Sequence, residues 1–538
     1  MKKNCKFKKL SALILTAAII GTAMTGCTKS QRASEVNSGS TSGTDAALKD
    51  TFTYAQGADP RGLDPAYVDD GESAKVMCNI YEGLLRYKND STEIEPWLAE
   101  SYEVSDDGVT YTFHLRKGVK FHDGTDFNAD AVKKSIDRLL EPNVSDDMPY
   151  ASFVFGSKKA KTGVKEVKVV DDYTVQIILF TPQTSFIKNI AMIMAAPIVS
   201  PTALEKYNGN LNEHPVGTGP YKFVSWDKNQ NIKLVRNDDY WGEKAKTKNI
   251  VFRFISENSA RDIALTSGEV DAIDGISASD VDQLKNAGEK IFSADGMTIN
   301  YMAYNTTSEK FKDVAARKAF SQAVNVPELV KSLYKDYATP ATSIMPFFMN
   351  PGSKNVKSTT YDKAAAKAGL AKAGITSVNM ITYSNPRPYN TVGGQVLAEA
   401  IQGYLKEVGV TCKISTYDWT TYKSVVKKGD YDICFYGWTG DNGDPDNFMN
   451  LLDDKDVSMN VSRYNNPEYH KLILKGQQTP EGEEREKIYT QLEQMAADDN
   501  VWLVISHSKN LAAYNPKVSG YFYHQTGVTR FAGVTVSK

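Results

Sequence analysis

The stretch Ile433-Cys434-Phe435-Tyr436-Gly437-Trp438-Thr439-Gly440-Asp441-Asn442-Gly443-Asp444-Pro445-Asp446-Asn447-Phe448 joins an apolar run to a glycine-rich acidic turn. Residues 432–438 read as a buried β-strand, and the acidic turn follows at its C-terminal end, where open α/β sheets form their ligand crevices. Gly437, Gly440 and Gly443 let the backbone turn there and approach a ligand closely. Asp441 is the first carboxylate beyond the strand, and Trp438, with Tyr436 beside it, reads as a wall residue that excludes water.

Outward from this strand the pattern is that of an α/β layer, with further strands at 250–255, 301–305, 380–384 and 410–418 separated by helical stretches. Apolar side chains at 392, 396, 397, 401, 404, 405 and 408 keep a helical period, so 391–408 reads as a crossover helix between two strands. Nearer the start, 73–87 and 128–140 read as helices and 111–115 as a strand. Hairpins are expected at 164–179, turning at Asp171-Asp172, and at 221–235, turning near Asn229. Tyr417, Trp419 and Tyr422 read as packing residues, and no repeat points to a solenoid.

The first nine residues carry five lysines, and an apolar run from Leu10 to Ile20 follows. That is the profile of a secretory signal, and the run is about half of the roughly 20 residues a spanning helix needs. Met24-Thr25-Gly26-Cys27 resembles a lipoprotein cleavage box, which makes Cys27 the expected lipidation site and membrane anchor. Residues 28–50 are rich in Ser, Thr and Gly and read as a disordered tether. Cleavage removes five lysines and no acid, taking the formal charge from −2 to −7, so nucleic acid is an improbable partner.

About 510 remaining residues exceed what one hydrophobic core supports, so two or three domains are expected. Beyond Cys5 and Cys27 only Cys78, Cys412 and Cys434 are present, so no disulfide framework holds the fold. Cys412 and Cys434 lie in strand-like runs, where a pair or two free thiols fit equally well.

The chain has no G-x-S-x-G elbow, H-E-x-x-H pair or Walker loop, which removes the usual hydrolase, zincin and nucleotidase signatures. Gly217-Thr218-Gly219 continues with Pro220-Tyr221, so it reads as a structural turn rather than a dinucleotide loop. The six histidines are scattered, and in the acidic string alternate positions fall on Gly443 and Pro445, so neither a metal nor a cofactor is expected.

Four stretches together resemble the peptide- and nickel-type solute-binding proteins of ABC importers, extracellular family 5, and most closely its dipeptide-binding members. They are 96–124, ending Phe121-His122-Asp123-Gly124; 216–221 with Asp239-Tyr240-Trp241-Gly242; Arg387-Pro388-Tyr389-Asn390; and 437–448. The resemblance implies an α/β, two-lobed periplasmic-binding-protein-like fold of class II topology (cluster C) with three domains and no catalytic role. It divides the chain into a discontinuous domain I (51–72, 204–297 and 509–538), an extra domain II (73–203) and domain III (298–508).

Carried over residue by residue, the resemblance sets Asp441 against a ligand α-ammonium and Arg387 against its α-carboxylate, with Tyr436, Gly437, Trp438, Thr439 and Gly440 around them. Arg387 lies between Pro386 and Pro388, which hold the chain extended and present the guanidinium from a stiff loop. His122 and Asp123 read as structural. The expected protein is an exported, lipid-anchored monomer that closes over dipeptides or short peptides and hands them to a permease. Longer oligopeptides, a nickel chelate, haem or an oligosaccharide are the alternative cargoes. An exported peptidase is the competing class, and it lacks a recognisable nucleophile.

Overall fold

The computed structural model describes residues 47–145, 147–455 and 459–538. The signal segment, Cys27 and residues 28–46 of the expected tether lie outside the described residues. Residues 47–50 are not loose as the tether reading expects. Leu48 bridges Ser537, the Lys49 amide donates to the Val536 carbonyl at 2.8 Å, and the Lys49 ammonium pairs with Asp271 at 2.9 Å.

In the strand Thr51–Gln56 side chains alternate between faces, so Phe52 and Tyr54 enter one core while Ala55 enters another. This strand runs parallel to Asn249–Phe254 and to Ala272–Asp274. The hairpin Tyr221–Asp227 and Asn231–Arg236 extends the sheet, with Asn229 at φ 60° in its turn. The last residues of the chain complete this core, where the Phe531 ring lies 5.0 Å from Phe52 and 5.1 Å from Tyr54.

Thr298–Tyr304 is buried at every position because strands flank it on both sides. One neighbour is Ile433–Thr439, which in turn pairs in parallel with Ser377–Tyr383. The expected crossover helix is Gly394–Glu407, and it links Ser377–Tyr383 to the parallel strand Thr411–Tyr417 with Leu397, Ala398, Ile401 and Leu405 buried. The other neighbour is the 13-residue strand Trp502–Tyr514. Its first part pairs with Thr298–Tyr304, and its last part pairs with Lys290–Asp295 and Ala272–Asp274. One strand therefore belongs to both lobes.

A separate antiparallel sheet, Ala99–Val104, Thr110–Leu115, Thr174–Leu179 and Val164–Asp171, carries its own buried cluster under the helix Ala129–Asp137. Asn128 caps that helix by accepting from the Ala131 amide at 3.0 Å. The Gly217-Thr218-Gly219 turn is structural. The Gly219 amide donates to the Ile80 carbonyl at 2.9 Å, and a β-carbon on Gly217 would overlap that same carbonyl.

Two further expectations are corrected. The helix read at 73–87 is Gly71–Met77, followed by the short strands Glu82–Gly83 and Leu85–Tyr87. Asn79 ends it by donating to the Lys75 and Thr529 carbonyls and accepting from the Phe531 amide, contacts with the far end of the chain that local pattern cannot show. The strand read at 410–418 stops at Tyr417 because Asp418 accepts from the Thr420 and Thr421 amides and caps the helix Trp419–Lys428. Cys78, Cys412 and Cys434 are all free and buried.

Candidate functional site

The strand Ile433–Thr439 ends at a cavity of about 540 Å³ between the lobes, and residues Tyr436 to Asp441 and Arg387 all line it. The opposite wall includes Asp69, Lys75, Met192 and Arg530.

The glycines do not act as expected at every position. A β-carbon on Gly437 would overlap the Tyr389 ring, and one on Gly440 would press on Phe448. At Gly443 it would strike Thr92 of the opposite lobe. Their missing side chains admit protein neighbours, and only Gly437 and Gly440 also face the cavity.

Asp441 is held by a residue the sequence reading passed over. Asn447 accepts from the Trp438 indole at 2.8 Å and from the Asp441 amide at 3.1 Å, and its own amide donates to the Asp441 carboxylate at 3.2 Å. The Tyr150 hydroxyl donates to the other carboxylate oxygen at 3.1 Å. No described cation pairs with Asp441. Burial pushes its carboxyl above the ordinary value and nearby Asp69 adds to that, while the Asn447 and Tyr150 bonds oppose it.

Arg387 sits in a turn closed by mutual backbone bonds with Asn390, and the Asn390 side chain is itself held by Tyr334 and Tyr383. The guanidinium carbon lies 4.0 Å from the Trp419 ring centroid. Its Nε is buried without an acceptor, and no described carboxylate pairs with it. Trp419, read from sequence as packing, therefore belongs to the cavity wall, whereas Tyr422 is fully buried as expected. Asp418 followed by Thr420 and Thr421 was the available cap signal, and it sets Trp419 at the first turn of a helix rather than on a strand.

The rest of the acidic string is structural. Asp444 receives two bonds from Arg485, at 3.0 and 2.7 Å, with both side chains out of water. Burial alone would raise the Asp444 carboxyl, but Arg485 and Lys188 hold it below the usual range. Asp446, bonded by Gln477, is pushed up to about 7 by burial and by Asp444. His122 bonds the Gly219 carbonyl at 2.9 Å and Asp123 bonds Ser200, so both are structural.

The lobes meet around the cavity. Thr184 bonds the Gln477 and Thr479 carbonyls at 2.8 Å each, and Lys188 reaches Glu481 at 3.1 Å and Asp444 at 3.6 Å. The model of the bacterial extracellular solute-binding proteins, family 5, matches residues 93–460. The chain belongs to that family.

This family 5 protein is 32% identical over 510 residues to the dipeptide-binding protein of Escherichia coli, covering 90% of this chain and 94% of that one. It is also 32% identical over 552 residues to heme-binding protein A of Haemophilus influenzae, covering 97% and 98%. Among solved structures it resembles the periplasmic binding protein DppA of Helicobacter pylori in complex with the peptide STSA. The TM-score is 0.74 at 31% identity, covering 91% of this chain and 98% of that one. The α/β periplasmic-binding-protein fold is the one expected, and no described helix is long and apolar enough to cross a membrane.

Proposed function

We propose that this family 5 protein captures dipeptides or other short peptides by their charged termini and delivers them to the permease of an ABC importer. The observation that carries the reading is a cavity holding a carboxylate and a guanidinium, Asp441 and Arg387, neither of which has an ion-pair partner among the described residues. A zwitterion supplies both missing partners. The termini of a dipeptide are on the order of 7 Å apart, so one fixed anion and one fixed cation can select ligand length while side chains need only room.

Calorimetry tests this directly. A free dipeptide such as Ala-Ala is expected to bind, and acetylating its amine or amidating its carboxylate should weaken binding about tenfold or more. Equal binding of free and blocked forms would remove the terminal clamp. The name of the Haemophilus influenzae relative raises haem as a second cargo. The only histidine lining this cavity among the described residues, His524, has both ring nitrogens engaged, with Thr526 and with the Lys88 and Ser91 carbonyls. Ligating iron would require it to give up those bonds.

The signal-like start and the box ending at Cys27 support a mature protein anchored by lipid on the outer face of the cell membrane. Parent protein should sediment with membranes after lysis, and Cys27→Ser should release it. A variant that stays with the membrane fraction would exclude this anchor.

A further inference from the structure

The cavity contains a second guanidinium that the clamp does not use. Arg530 is partly buried in the irregular C-terminal segment, and its one hydrogen bond goes to the Tyr87 carbonyl at 3.4 Å. No described carboxylate pairs with it. It lines both the clamp cavity and an adjoining cavity of about 430 Å³, which also share Ala191 and Ile193.

Most charged groups lining the two cavities are already committed, the exceptions in the adjoining cavity being the exposed Glu243, Lys244 and Lys246. Asp69 pairs with Arg61, Asp70 caps the helix Gly71–Met77, and Lys75 lies between Glu72 and Asp274. In the adjoining cavity Arg86 pairs with Glu95, and Glu82 accepts from Trp97, Thr218, Tyr240 and Trp241. The neighbouring Cys78 thiol is pushed up to about 11 by burial and is neutral. Glu82 and Glu95 act on Arg530 only from a distance, no described carboxylate meets its donors, and its planar fork matches a carboxylate.

We propose that Arg530 is a second anion-binding point, and that the ligand class is short peptides carrying an acidic side chain directed toward the adjoining cavity. This rests on the terminal-clamp reading. A zwitterionic dipeptide satisfies Asp441 and Arg387 and leaves Arg530 without a partner, whereas a peptide of net charge −1 satisfies all three.

The test is calorimetry at neutral pH with Ala-Ala, Ala-Gln, Gln-Ala, Ala-Glu and Glu-Ala. At least one Glu peptide should bind about tenfold or more tighter than its isosteric Gln partner. In Arg530→Met that ratio should fall close to one, with Arg530→Lys in between. Equal affinities for Glu and Gln peptides in the parent overturn the proposal, as does a ratio that persists in Arg530→Met. The parent comparison stands even if neither variant folds. Binding of Ala-Ala without any preference for Glu removes this inference alone, while failure of all five peptides removes the clamp with it.

Discussion

Asp441→Ala is expected to weaken dipeptide binding by between about thirtyfold and a few thousandfold, because it leaves the ligand ammonium enclosed without an anion. That range corresponds to roughly 2–5 kcal/mol. Asn447 keeps the loop in place through the Asp441 amide and the Trp438 indole, neither of which the substitution removes. The loss should therefore be one of binding and not of folding. Asp441→Asn keeps the shape and should still lose most of the affinity, which separates charge from packing. Parent-like binding in either variant would show that the ammonium is held elsewhere.

The same carboxylate sets the pH dependence. Burial and Asp69 raise its proton affinity in the free protein, and only the ionised form attracts an ammonium. On acidification, affinity should begin to fall at a pH above the ordinary carboxylate range. Calorimetry in two buffers of different ionisation enthalpy should then detect proton release on binding. Asp441→Asn should show neither effect.

The largest effect on stability is expected at Arg485. Arg485→Met leaves Asp444, which has no solvent exposure, with Lys188 at 3.6 Å as its one nearby cation among the described residues and the Asp446 amide as a donor at 2.9 Å, and should cost about 3–5 kcal/mol. In the parent the folded-state pKa of Asp444 lies below its unfolded value. The pair's contribution is therefore present above the unfolded pKa and is lost as pH falls through the folded one. In the variant burial acts on Asp444 largely unopposed, so its deficit should be greatest near neutrality and should shrink toward acid. Adding Asp444→Asn should restore much of the loss in thermal melts. A double variant no more stable than Arg485→Met would show that Arg485 acts through packing instead.

The strands of the second lobe are legible in the sequence because strands covered on both faces read as apolar runs, as Ile433–Thr439 and Thr298–Tyr304 do. The wall around Asp441 is legible for a related reason, since it follows such a strand directly. What escapes is set by contacts remote in sequence. Tyr150 reaches Asp441 across 291 positions, and the helix Gly71–Met77 ends where Asn79 meets Thr529 and Phe531. Arg530 escapes because nothing local distinguishes an arginine that has no partner from one that has. Trp419 was within reach, given the cap at Asp418.

The strand Trp502–Tyr514 and the segment containing Phe531, Val534 and Val536 close a sheet and core that open with Thr51–Gln56. A ribosome makes these parts in opposite order, first and last. Until the residues from Trp502 onward have emerged, Thr51–Gln56 lacks part of its core and the neighbouring Ala272–Asp274 lacks one of its partners. The core that Phe52 and Tyr54 enter is complete only when Phe531, Val534 and Val536 are present.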